Sequence, residues 1–194
     1  FGYLHYVVAW IAFCVVTGAL YVAAFRAVLP VRGAWLLALA APASFFCIIA
    51  GQLGFLVAAL TASALLLKDS RPLLAGVSLA LLTIKPQFGL LYPLLLIATG
   101  RMRVFAAAAA GTVALVIASA AAFGTNSWLA FVRSLGGEAT DLLLRGGEDW
   151  TKLQSLYACF HLLTDREGLA MALHWVCAAM IAAVVTWLWR MPAS

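Results

Sequence analysis

From Tyr3 to Phe25 the chain carries no Asp, Glu, Lys or Arg. Wound as one helix at about 1.5 Å per residue, a run of that length covers the ~30 Å hydrocarbon layer of a bilayer. A backbone in hydrocarbon must satisfy its own hydrogen bonds, so such a run fixes a helical crossing and excludes an open sheet. Six further apolar runs follow: Ala34–Ala50, Leu53–Leu67, Pro72–Ile84, Phe88–Thr99, Val104–Phe123 and Leu169–Trp189. The chain is 66% hydrophobic and 10% charged, whereas a soluble domain carries about 25% charged residues. The expected fold is therefore an all-α, polytopic transmembrane helical bundle with about seven spans.

The basic residues set an orientation. Arg26 and Arg32, Lys68 and Arg71, Arg101 and Arg103, and Arg190 are separated by pairs of apolar runs. The positive-inside tendency directs all these groups to the cytoplasm. The outward turns are then Gly51-Gln52, Lys85-Pro86-Gln87 and a long segment at 124–168, with Phe1 outside. The runs of the second and third pairs are roughly 12 to 17 residues, short of the ~20 needed for a full crossing. Their outer ends are expected to stop inside the protein and line a cavity open to the outside, because irregular backbone at membrane depth persists only where protein or water satisfies it. The opening at Phe1, inside an apolar run, reads as a C-terminal fragment whose N-terminal part is missing.

The segment 124–168 reads as an outer-face loop within one transmembrane domain covering 1–194. Trp128, Phe131, Val132 and Leu135 recur at helical spacing after the capping residues Thr125, Asn126 and Ser127. Leu153, Leu156, Tyr157, Phe160 and Leu163 repeat the pattern, so two short amphipathic helices at the interface are expected. Between them, Gly136-Gly137 and Gly146-Gly147 bracket Glu138, Asp141, Arg145, Glu148 and Asp149. This piece reads either as a solvated loop or as a lid over the cavity.

Lys85 is the only formal charge between Arg71 and Arg101. Pro86 has no N–H and disfavours helix at the residue before it, so the chain breaks at Lys85. Lys85 either snorkels to the surface or binds an anion. Its position on the outer side favours binding, and an ammonium at a broken helix end suits a phosphate or pyrophosphate head group. Gln52 and Gln87 stand at outward turns and either hydrogen-bond a sugar hydroxyl or cap freed backbone groups. Lys152, beside Trp150, meets a lipid phosphate or sits at the interface. Any outer carboxylate, Asp141, Glu148, Asp149, Glu138, Asp165 or Glu167, is chemically able to act as a general base, although a solvated role suits each. His5, His161 and His174 have no metal-ligand spacing, and Cys14, Cys47, Cys159 and Cys177 include no CxxC pair. Neither a metal nor a cofactor is expected. No basic face interleaved with exposed aromatics marks a nucleic-acid partner. Gly111 and the alanines of 106–110 and 118–122 suit close helix packing.

Gly51-Gln52 opening a span, Arg71-Pro72, Ala75-Gly76, Ile84-Lys85-Pro86-Gln87 and Arg101-Met102-Arg103 together resemble glycosyltransferase family 87. Trp150 through Ser155, followed by an amphipathic segment and a last span, is similar to that family as well. The resemblance implies a GT-C-type enzyme related to polyprenyl-phosphate-mannose-dependent mannosyltransferases. It further implies transfer of a hexose, mannose, from a polyprenyl-phosphate sugar to a lipid or glycan acceptor on the outer face of a bacterial inner membrane. Lys85, Gln87 and Gln52 match motif positions and are carried over as site residues. In GT-C enzymes the catalytic acidic residue, a carboxylate that deprotonates the acceptor, usually lies in the first outer loop, so the resemblance implies that it lies upstream, and this fragment alone is expected to be inactive. The alternative is a multi-spanning transporter or lipid flippase. That class more often carries several ionisable groups within its spans and related halves.

Overall fold

The computed structural model describes residues 5–136 and 155–191. Those residues are helical and contain no strand, as the apolar runs require. The first expected span is one continuous helix, α1 (Tyr6–Val28), which has Arg26 in its last turn. The cation there faces the negative end of the helix dipole and can extend its stem toward the head-group layer.

The second expected span, Ala34–Ala50, is not a single helix. It forms α2 (Ala34–Ala40) and α3 (Pro42–Ala50), with Ala41 extended between them. The cause is Pro42, which cannot donate to the carbonyl of Ala38 and pushes Ala41 out of the helical region. Ser44, 2% exposed, repairs the gap: its Oγ donates to the Ala38 carbonyl at 2.6 Å. In apolar surroundings an unpaired carbonyl would be costly, so the hydroxyl stands in for the missing amide.

Next come α4 (Gly54–Leu67), α5 (Pro72–Leu81), two 3-10 turns (Leu82–Ile84 and Pro86–Phe88), α6 (Tyr92–Ala98) and α7 (Met102–Phe123). After α7 lie α8 (Thr125–Gly136), α9 (Leu156–Thr164) and α10 (Glu167–Arg190). Among the described residues three helices, α1, α7 and α10, are long and apolar enough to cross a membrane. The others are shorter; α4, at 14 residues, is about 21 Å long.

The chain divides into two compact units, Phe1–Ala114 and Leu115–Ser194. In the first, α1 packs on α2 and α4, and α4 on α5. Tyr21 stacks on Phe55 with ring centroids 5.2 Å apart. A seam of small residues joins α5 to the first half of α7. A methyl group at Gly76 would lie 2.8 Å from the Ala108 nitrogen and 2.9 Å from the Val104 carbonyl oxygen, and one at Gly111 would lie 2.7 Å from Ala80 Cβ. These positions must stay small for the helices to approach, and the alanine-glycine run of α7 supplies them. Lipid-facing positions around the unit are covered by exposed Leu, Ile, Val and Phe.

The second unit contains the two expected short helices. α8 begins at Thr125, so the expected capping residues Thr125, Asn126 and Ser127 form its first turn instead of preceding it, and Ser127 Oγ donates to the Phe123 carbonyl at 2.8 Å. Trp128 and Phe131 meet edge to face at 6.0 Å. α9 starts at Leu156 because Ser155 Oγ accepts from the Ala158 amide at 3.1 Å. It packs on α10, whose first turn carries Glu167 and last turn Arg190, each at the dipole end that suits its charge. Leu153 and Lys152 lie outside the described residues, as do Glu138, Asp141, Arg145, Glu148 and Asp149.

Candidate functional site

The site begins with two breaks in the helical chain. At the first, Gly51 adopts φ +58°. Its amide points to the Ile48 carbonyl at 3.3 Å, and the Gln52 amide to the Cys47 carbonyl at 3.0 Å. This paired arrangement closes the end of α3 and uses a glycine where a Cβ would be strained. The Trp10 indole also donates to the Ile48 carbonyl at 2.9 Å. Gln52 therefore sits just past a capped helix end, exposed, with its side chain free of capping duty.

At the second break Lys85 has φ −131° and ψ 80°, the extended backbone expected before proline. Its amide donates to the Leu82 carbonyl at 2.9 Å, and its carbonyl accepts from Phe88 at 3.1 Å. The non-helical backbone is thus satisfied locally, as irregular chain among apolar helices must be. Lys85 shares a small apolar pocket with Leu53, Leu56, Leu81 and Ile84. From there its Nζ reaches Gln52 Oε1 at 3.5 Å. The two outward turns expected from the charge pattern are neighbours in space, and their polar side chains meet. No carboxylate pairs with Lys85 among the described residues. The ammonium retains capacity for two further acceptors.

Gln87 lies in the following 3-10 turn, exposed and without a hydrogen bond among the described residues. Lys152 lies outside them. Beside the turn is a cavity of about 460 Å³, walled by Thr83, Pro86, Gly89, Tyr92 and Pro93 and by Phe105 and Thr112 of α7. Lys85, Gln52 and Gln87 are not part of its lining. The arrangement is a polar couple at a chain break with an apolar cleft next to it. That pairing suits an amphiphile with an anionic head and a hydrocarbon body.

Two polar features escaped the sequence reading. Tyr92, on the cavity wall, shares a side-chain hydrogen bond with Thr61 of α4. Each is an isolated polar group in an apolar run, which was the available signal. At the other end of α4, Asp69 takes Arg101 Nε at 2.8 Å and Arg101 Nη2 at 3.5 Å, and lies 3.3 Å from Lys68 Nζ. Arg101 beside it holds the Asp69 carboxyl below the usual carboxylate range, opposing the smaller effect of burial. The Lys68–Arg71 and Arg101–Arg103 turns are therefore adjacent at one end of the unit. Gln52 and Lys85 are at the other, separated by the 14 residues of α4.

A family model described as glycosyltransferase family 87 matches residues 1–194, the whole chain. No curated protein and no solved structure matches.

Proposed function

The chain belongs to glycosyltransferase family 87, and from that premise we propose that it transfers a hexose, mannose, from a polyprenyl-phosphate sugar to an outer-face lipid or glycan acceptor. The observation that carries this reading is the Lys85–Gln52 couple at a chain break beside the apolar cavity walled by Pro86 and Tyr92. The phosphate of the donor meets Lys85, and the first isoprene units lie in the cleft. As the acceptor oxygen bonds to the anomeric carbon, the bond from that carbon to the phosphate oxygen breaks and its electron pair stays on the phosphate. Lys85 stabilises that developing charge, which is worth most in a site shielded from water. Gln52 holds the Lys85 ammonium in position, while Gln87 and Lys152 contact sugar or lipid phosphate. The acceptor proton goes to a carboxylate acting as general base. The working surface faces outward from a bacterial inner membrane, with the Lys68, Arg71, Arg101 and Arg103 end in the cytoplasm.

The test replaces Lys85 by Ala in the full-length protein and follows sugar transfer from a polyprenyl-phosphate mannose donor. Expected is loss of turnover with the protein still folded. Unchanged transfer removes Lys85 from the mechanism, and no transfer by the wild-type protein from any polyprenyl-phosphate sugar removes the donor class.

A further inference from the structure

At the end of the first unit that carries the basic turns, a groove of about 660 Å³ opens between the first turns of α5 and α7. Arg71, Leu73 and Leu74 form one side, and Arg103, Ala106 and Ala107 the other. The groove has a plain steric origin. The helices touch closely beside it, where Gly76 meets Val104, Ala107 and Ala108, and the α7 wall of the groove offers only alanine methyls below Arg103, opposite two leucines.

Its polarity is one-sided. Both arginines are exposed, and neither has a carboxylate partner among the described residues. Asp69 is the only acidic residue before Glu138, and it is already taken by Arg101 and Lys68. Neither helix has an acidic residue in its first turn, so no side-chain carboxylate there offsets the positive end of either helix dipole. The site therefore has two forked donors above an apolar slot and, among the described residues, no unpaired carboxylate to receive the ammonium of a zwitterionic head group.

We propose that this groove binds an anionic phospholipid from the leaflet at that end. The guanidiniums take the phosphodiester, and the upper acyl chains lie along Leu73, Leu74 and the alanines. Planar guanidinium forks match phosphate oxygens bidentately, and basic clefts between helices at the cytoplasmic side are suited to such head groups. This assigns Arg71 and Arg103 a role that sugar transfer leaves unused. It is also independent of the Lys85 site at the far end of α4.

Native mass spectrometry of the detergent-purified protein tests the proposal, with phosphatidylglycerol or phosphatidylcholine of matched chains added in turn. Phosphatidylglycerol should bind about tenfold tighter than phosphatidylcholine, and Arg71→Gln with Arg103→Gln should abolish that preference. Ala106→Phe fills the groove while keeping both charges, and should weaken phosphatidylglycerol binding to a similar extent. Arg26→Gln with Arg32→Gln removes two cations outside the groove and should leave the preference intact. Equal binding of the two lipids overturns the proposal. So does an Arg26/Arg32 variant as impaired as the Arg71/Arg103 one, or an Ala106→Phe variant that binds like wild type. Should the Arg71/Arg103 variant fail to fold, the Ala106→Phe and Arg26/Arg32 results decide by themselves.

Discussion

Lys85 Nζ stands 3.5 Å from Gln52 Oε1, although the residues are 33 apart in sequence. Each is held at its own chain break, Gln52 by the left-handed Gly51 and Lys85 by the following Pro86. If Gln52 acts by orienting the ammonium, its contribution runs through Lys85. Replacing Lys85 by Ala should cost about 10²–10³ in kcat, the scale of losing one preorganised charge-stabilising donor. Gln52→Ala should cost less, and the double variant should be scarcely worse than Lys85→Ala alone. Steady-state sugar transfer by the four proteins measures this coupling. Additive losses would show that Gln52 meets the substrate independently of Lys85.

The break at Lys85 was readable because a proline dictates the backbone of the residue before it. The adjacency of the Lys68–Arg71 and Arg101–Arg103 turns was readable because Arg and Lys punctuate the apolar runs, and the Asp69–Arg101 contact joins those two turns directly. The amphipathic α8 was readable from the spacing of Trp128 and Phe131. Pro42 was not read, because counting apolar residues overlooks a missing donor, and Ala34–Ala50 looks continuous by hydropathy. Nor does any pattern along the chain reveal that the cavity lies against Pro86 and Tyr92 while Lys85 turns to Gln52. Which side of a turn faces a cleft depends on packing against α7, far along in sequence.

The ion pair at the other end gives a pH signature. Arg101 lowers the Asp69 pKa below its ordinary value near 3.8. A depressed carboxylate stabilises the fold at pH values above its unfolded pKa, and that contribution fades as pH falls through the lower folded pKa. The pair is exposed, with Asp69 at 62%, so its worth at neutral pH is under about 1 kcal/mol. Asp69→Asn should melt slightly below wild type at pH 7. The gap should close in acid below the ordinary carboxylate range, and should shrink in molar salt. Thermal melts in detergent at the two pH values check the sign; a gap that widens in acid contradicts it.

Ser44 predicts a larger effect from a smaller change. Its hydroxyl is the donor that replaces the amide lost at Pro42, 2.6 Å from the Ala38 carbonyl. Ser44→Ala leaves that carbonyl unpaired in apolar surroundings, which costs about 1–3 kcal/mol. Adding Pro42→Ala to the same variant restores an N–H able to reach Ala38, and should recover part of the loss. Melting temperatures of the single and double variants give the answer. A Ser44→Ala protein as stable as wild type would mean that water or lipid head groups serve the carbonyl instead.

The α5–α7 seam offers the sharpest steric test. A methyl group at Gly111 would come within 2.7 Å of Ala80 Cβ, and neither atom belongs to a side chain that can rotate away. Gly111→Ala must therefore push the helices apart, at a cost of about 1–3 kcal/mol. That cost outweighs the ~1 kcal/mol that alanine gains over glycine inside a helix. Ala80→Gly with Gly111→Ala moves the methyl across the seam without adding volume, so the double variant should melt close to wild type while Gly111→Ala alone does not. Gly76→Ala has no such remedy, because its obstacles include the Ala108 nitrogen and the Val104 carbonyl oxygen. It should be the most damaging of the three, and no single glycine placed on α7 should rescue it. Rescue of Gly76→Ala by Ala107→Gly would mean that the backbones stand farther apart and that only the two methyl groups touch.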